Sequence, residues 1–187
     1  DDGVVLAYHG EPGYTETGKL TQAVTIGEDE DAITYPVGTS AQVMVEQPAF
    51  YYRVVPLKLD KVIGGKGYHL RKARYYVSDT KKIGFKLHPA FIRDGKEKNF
   101  IYLSAYEGSI YDKSAEAYLL ADEQIADFTV TTGDKLSSIA YAKPASGLTQ
   151  DLTRAKTRII ANNRGTGWNQ AYAATVAATQ LLFTIEY

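Results

Sequence analysis

"NNRGTGWNQAY", residues 162–172, places an Asn pair, an arginine, two glycines around one residue and the chain's only tryptophan in eleven positions. How this stretch is read decides the fold, because the hydrophobic period changes on both sides of it. Upstream, "LTQDLTRAKTRIIANNRG" (148–165) spaces Leu148, Leu152, Ala155 and Ile159 by four, three and four residues, the mark of an amphipathic helix. Thr149 or Thr153 suits its start, since a threonine hydroxyl satisfies first-turn backbone donors. Gly165 sits just past its end, where a left-handed residue stops a helix. Downstream, "NQAYAATVAATQLL" (169–182) reads as a second helix of small residues that allow close approach. "LLFTIEY" (181–187) then reads as a terminal strand with Phe183, Ile185 and Tyr187 on one face. The stretch itself is a helix stop followed by a restart.

The chain ahead of this region has strand grammar. "AQVMVEQPAFYYRVVPLKL" (41–59) is β-rich, with Pro48 marking a boundary or bulge. "GGKG" (64–67) is a turn, and "YHLRKARYYVS" (68–78) is the returning strand of a hairpin. Further on, Phe100 to Tyr106 form a buried-strand run preceded by a charged "RDGKEK" loop. Residues 113–135 are polar and low in pattern and read as a long loop with one helical turn around Glu116 to Leu120. Strands followed by helices predict an α+β class. Residues 1–40, rich in Gly, Thr, Glu and Asp, read as an N-terminal arm, and residues 41–187 as the compact domain.

Composition narrows the function classes. The chain has 187 residues, long enough for a substantial core, and its 21 basic residues nearly balance 22 acidic ones. A balanced charge gives no field to draw the protein onto nucleic acid or an anionic membrane. There is no cysteine, which removes disulfides, thiolate metal sites and thiol nucleophiles together. No apolar run approaches the roughly 20 residues of a spanning helix, so a soluble chain without membrane insertion is expected. The chain opens Asp1-Asp2-Gly3 rather than with methionine, as expected of a processed product or a portion of something longer. Fifteen tyrosines stand out; tyrosine favours strands and also supplies rigid, amphipathic recognition surface.

Catalytic motifs are sparse. His9, His69 and His88 have no metal-type neighbours at short spacing, and His88, ahead of a proline in an apolar run, reads as a hydrogen-bonded structural residue. Glu28, Asp29, Glu30 and Asp31 lack the alternating ligands of a calcium loop and read as a solvated acidic loop. "IGGKG" lacks the lysine and hydroxyl of a phosphate-binding loop. No Gly-x-Ser-x-Gly elbow is present. Glu107 and Asp112, flanking "GSIY" in a loop, are the carboxylate pair a glycan-cleaving enzyme would use. Sugar binding without hydrolysis asks less: Tyr106, Tyr111, Trp168 and Tyr172 can stack on a ligand, and Asn162, Asn163, Asn169 and Gln170 can bond to it. The tryptophan after Gly-x-Gly is read first as a core anchor that locks the turn, ahead of a ligand-site role.

Taken in order, "FKLHPAFIRDGK", "IYLSAYEGSIYD", "LSSIAYAKP", "LTRAKTRIIANNRGTGW" and "QLLFTIEY" resemble the successive blocks of C-terminal domains in tailed-phage fibre and other virion adhesion proteins. The likeness covers roughly residues 41–187, and the Arg-Gly-x-Gly-Trp block is also similar to C-type-lectin-like folds of the tropism-determinant and formylglycine-generating-enzyme type. The resemblance implies a C-type-lectin-like mixed domain with antiparallel sheets and two C-terminal helices. It implies a non-enzymatic virion protein, located on the phage particle, that attaches to a host receptor or glycan and works with other virion proteins as a homo-oligomer, often a trimer. Arg164, Gly165, Gly167 and Trp168 match its scaffold block, and the expected ligand-binding residues are Asn169, Gln170 and Tyr172, with Tyr111 and Asn163. No cofactor and no metal are expected. The alternative is a virion structural or decoration module that uses the same fold for assembly, and a glycan-cleaving enzyme is a third reading.

Overall fold

The computed structural model describes residues 3–145 and 151–186. In chain order the strands are β1 (Val24–Ile26), β2 (Ile33–Tyr35), β3 (Met44–Pro48), β4 (Tyr51–Lys61), β5 (Tyr68–Ser78), β6 (Lys86–Leu87), β7 (Ile92–Arg93), β8 (Lys96–Glu97), β9 (Phe100–Ser104), β10 (Ser109–Asp112), β11 (Ala117–Tyr118) and β12 (Lys135–Ser137). Helices α1 (Arg154–Asn162) and α2 (Ala173–Glu186) close the order. The architecture is mixed α+β, with mostly antiparallel strands in several small sheets. Among the described residues no helix is long and apolar enough to cross a membrane.

The chain divides into two compact units, Asp1–Val45 with Leu103–Gln170, and Glu46–Tyr102 with Ala171–Tyr187. In the first unit, β10 lies between β11 and β12, and α1 packs on β12. Ile110, Leu119, Ala126 and Ile160 form the core, flanked by Phe128, Leu136 and Leu152. Ser138 fastens the N-terminal part of this unit: its N–H donates to Gln42 Oε1 at 2.7 Å and its hydroxyl to the Val43 carbonyl at 2.7 Å. Residues of the predicted arm join the same unit, where Leu20 is buried and Ala140 N donates to the Glu16 carbonyl at 2.7 Å. The solvated acidic turn at 28–31 is a short 3-10 turn between β1 and β2, and all four carboxylates are exposed.

Helix α1 starts where a threonine was expected to cap it: Thr153 Oγ1 accepts from Lys156 N at 3.2 Å. Leu148 and Thr149 lie outside the described residues. The buried face differs from the expected stripe. Ala155 is exposed, and Ile160 and Ala161 turn inward with half-buried Thr157 and Arg164, a three, four and seven residue spacing. The shift follows from the helix beginning at Arg154, which leaves Leu152 ahead of the first turn.

The second unit is built on the β4–β5 hairpin. Pro48 ends β3, β4 begins three residues later, and the Gly64–Gly67 turn returns the chain into β5, as the sequence predicts. β6 extends this sheet next to β4, and α2 packs on β5. Phe50, Ala90, Phe91 and Ala178 form the core.

Four expectations are corrected. "RDGKEK" is the hairpin β7–β8, in which Asp94 and Gly95 take φ of 50° and 74°, the twist that joins two strands by two residues. The residues around "GSIY" are strand β10, held on both sides by β11 and β12, so Asp112 ends a strand rather than sitting in a loop. The helical turn expected near Glu116 is strand β11, because Tyr118 and Ala117 pair with Tyr111 and Asp112. The terminal strand is absent: α2 continues to Glu186, and Tyr187 lies outside the described residues. Tyr172 N donates to Thr175 Oγ1 at 3.1 Å, satisfying a first-turn donor, and a helix once started gains one hydrogen bond per added residue. A strand there would need a neighbour, whereas Phe183 and Ile185 are exposed.

Candidate functional site

In the first unit, a long irregular segment between β11 and β12 is held from below by buried polar side chains. Asp134, 3% exposed, accepts from Lys113 N at 3.0 Å through Oδ1 and from Asp127 N at 2.8 Å through Oδ2. One carboxylate thereby ties two distant stretches of backbone together. Asp127 Oδ1 in turn accepts from the N–H and hydroxyl of Thr129 at 2.8 and 2.6 Å, and the Thr129 hydroxyl, then its N–H, hold this carboxyl below the ordinary aspartate range. The loop closes so tightly that a Cβ on Gly133 would fall 2.5 Å from the Asp127 carbonyl oxygen.

The residues that end α1 complete this frame. Asn163 Oδ1 accepts from Thr131 N at 2.7 Å, and its Nδ2 donates to the carbonyls of Thr129 at 2.9 Å and Asp134 at 3.0 Å. Arg164 donates to the Leu136 carbonyl and to Ser137 Oγ, and its guanidinium stands 5.7 Å over the Trp168 ring. Burial pushes the Arg164 guanidinium down to about 10, with the nearby Tyr118 and Tyr111 opposing the shift, so it remains charged at neutral pH. Among the described residues it has no carboxylate partner, and neutral oxygens and an aromatic face take that role. Trp168 is half-buried rather than in the core as expected, and its backbone N–H donates to the Gly165 carbonyl at 3.3 Å, which closes the turn ahead of it.

The sequence-predicted site residues separate into groups. Tyr111 and Asn163 meet the same segment: Tyr111 pairs with Lys135 in β12, and Asn163 binds the carbonyl of Asp134. The Tyr111 ring sits edge-on to Tyr118 at 5.3 Å, while Asn163 directs all its bonds at backbone. Asn169 is exposed and Gln170 half-buried, in irregular backbone after Trp168. Tyr172 belongs to the second unit, where its hydroxyl donates to the Ala90 carbonyl at 3.4 Å and the Arg93 guanidinium lies 4.6 Å over its ring. Asp112, the candidate carboxylate, accepts through Oδ1 from Ser114 N, Ser114 Oγ and Ala115 N at 2.8, 2.6 and 3.0 Å, which makes it the cap of the β10–β11 turn.

Sequence reasoning missed the surface this frame supports. Leu120, Ile125 and Val130 are 72%, 76% and 68% exposed on the segment between β11 and β12. Their apolar side chains are scattered singly through a polar stretch without period, which reads as loop without saying what the loop presents.

The second unit carries a separate groove of about 320 Å³ lined by Tyr52, Val54, Tyr75, His88, Pro89, Ala174, Ala177 and Leu181. His88 is buried against the rings of Phe50 (5.1 Å) and Tyr52 (5.2 Å), and its Nδ1 accepts from Ala90 N at 3.3 Å, so it is the structural histidine expected from its place before a proline. Burial lowers its pKa from the ordinary 6.5. The folded state therefore binds this proton less readily than the unfolded chain, and the stability His88 supports is complete above the unfolded value and declines as pH falls below it. Thermal melts at pH 7.5 and 5.0 are expected to show this decline, and His88→Gln, which keeps an acceptor for Ala90 N and does not titrate, is expected to flatten it. An unchanged pH dependence in that variant would assign the effect to other groups.

Comparison of the chain with protein-family models, with curated proteins and with solved structures found no match.

Proposed function

We propose that the chain is the attachment domain of a virion fibre or spike, a non-enzymatic module of C-type-lectin-like type that binds a host surface glycan. The observation that carries this reading is the pairing of the Arg-Gly-x-Gly-Trp block with an irregular segment. Asn163 and Arg164 reach back 27 to 34 residues to donate to oxygens of Thr129, Asp134, Leu136 and Ser137, and Asn163 Oδ1 accepts from the Thr131 N–H. Recognition surfaces of this type are loops made rigid by a scaffold beneath them, because a fixed loop pays little ordering entropy on binding. Here the clamped segment presents Leu120, Ile125 and Val130, with the Tyr111–Tyr118 pair on the strands that flank it.

Binding of fluorescently labelled protein to intact bacterial cells tests the reading. Saturable binding is expected on a permissive strain, competed by its purified surface glycan. A Leu120→Asp/Ile125→Asp variant, altered at exposed positions only, is expected to bind at least tenfold more weakly with its melting temperature within 2 °C, on the usual small cost of surface changes. Binding equal to the parent in this variant would move the site elsewhere. Absence of binding to cells, together with capture by purified virions lacking the protein, would favour the assembly module instead.

A further inference from the structure

β4 and β5 run eleven residues each, yet β6 pairs only with Tyr51 and Tyr52. Beyond that point, among the described residues, the hairpin is a two-stranded ribbon with no further strand on either side. Its base has a partner: Tyr52, Val54 and Tyr75 face α2 across the groove. Its distal half has none. From the irregular register at Pro56–Leu59 outward, Leu57, Leu59, Leu70 and Tyr68 are exposed over 44% to 65% of their surface, and Ile63 at the tip is fully exposed. Two-stranded ribbons are marginal in water, and a run of large apolar side chains along one marks an interaction surface.

Charge indicates what covers it. Residues 51–78 carry seven Lys or Arg and one carboxylate, Asp60, which is taken by Arg71 at 2.8 Å. That segment is +6 on a chain of net −1, so the remaining residues carry −7. Near-neutral composition thus conceals a segregation of charge. The densest acidic stretch is Glu28, Asp29, Glu30 and Asp31, fully displayed on the turn between β1 and β2.

We propose that the distal β4–β5 ribbon is a self-association arm, seated on a second copy of this chain with its lysines and arginines against that copy's Glu28–Asp31 turn. A simple polyanion would match the charge but leave Leu57, Leu59, Leu70 and Ile63 in water, whereas a protein surface covers both. Area is consistent with this occupant. Half of an eleven-residue ribbon is about 18 Å long and about 10 Å wide, so its two faces offer roughly 360 Å². In a two-fold dimer each copy gives one arm to its partner and receives one from it, so each buries about 700 Å², close to the roughly 800 Å² per partner of a stable interface. This goes beyond attachment and does not rest on it.

Sedimentation velocity of the full chain between 1 and 100 µM tests the arm. Association is expected at 0.05 M NaCl and is expected to weaken at least tenfold at 0.5 M, because the paired charges are exposed. Lys58→Glu/Lys72→Glu and Glu28→Lys/Glu30→Lys are each expected to weaken it at least tenfold while circular dichroism stays unchanged. Combining all four is expected to restore association to within about threefold of the parent. A chain monomeric at 100 µM in low salt, association indifferent to either pair, or failure of the fourfold variant to recover would each overturn the proposal. Retention of a monomeric chain on polyphosphate beads, lost in the Lys58→Glu/Lys72→Glu variant, would also overturn it and give the ribbon to an anionic polymer.

Discussion

Phe91→Ala is expected to lower the free energy of unfolding by about 4 kcal/mol, the cost of a large cavity in a core that cannot close over it. Phe91 is 0% exposed, edge-on to Phe50 at 5.4 Å, and it sits in the 3-10 turn that His88 caps. Its surroundings are held in place from several directions. α2 packs on this turn, the Phe91 carbonyl accepts from Lys98 N at 2.8 Å, and the Phe91 N–H donates to the His88 carbonyl at 3.0 Å. Backbone fixed in this way relaxes little, which is why the upper part of the usual range applies. Phe91→Leu keeps most of the volume and is expected to cost about 1 kcal/mol. Urea denaturation followed by tyrosine fluorescence measures both, and the leucine variant supplies a value if the alanine variant fails to fold. A loss below 1 kcal/mol for a folded Phe91→Ala would mean that this ring is not the centre of its core.

Asn163→Ala is expected to cost about 3 kcal/mol, from three hydrogen bonds worth about 1 kcal/mol each net. The substitution removes the side-chain partner of Thr131 N and of the Asp134 carbonyl, and leaves the Thr129 carbonyl with the Gly133 N–H alone. Asn163→Asp separates bonding from shape. A carboxylate still accepts from Thr131 N but sets an oxygen against two carbonyl oxygens, so at pH 7 it is expected to be at least as damaging as alanine. Its folded pKa is then raised above the unfolded value, and the deficit shrinks as pH falls through it, when a proton becomes available to donate to one carbonyl. Amide exchange localises the effect: protection at Thr131 is expected to fall in both variants at neutral pH. If Asn163→Ala matched the parent in melting temperature and in exchange at Thr131, the clamp would not be holding the segment.

Much of the fold was legible because its signals are local. Pro48 cannot continue a ladder, the Gly64–Gly67 turn reverses the chain, and Thr153 caps the helix that Gly165, with φ of 130°, follows. Each of these depends on a few consecutive residues. The errors share the opposite property. Ala117 and Tyr118 are strand only because β10 lies beside them, and "LLFTIE", which pairs with no strand among the described residues, continues the helix begun at Ala173. Strand propensity records what a neighbour would stabilise, and the neighbour is remote in sequence.

The candidate site divides the same way. By itself, the sequence determined that residues 162–168 are a helix stop and a tight turn, that His88 is a hydrogen-bonded structural residue, and that the α+β class follows from strands succeeded by helices. Only the tertiary structure decided that Asn163 and Arg164 spend their bonds on a segment 27 to 34 residues earlier, that the exposed Leu120, Ile125 and Val130 ride on that segment, and that, among the described residues, no further strand flanks the distal β4–β5 ribbon. The reason is that backbone conformation answers to adjacent residues, whereas the partner of a side-chain donor and the surface it leaves exposed are set by which distant stretches the core brings together.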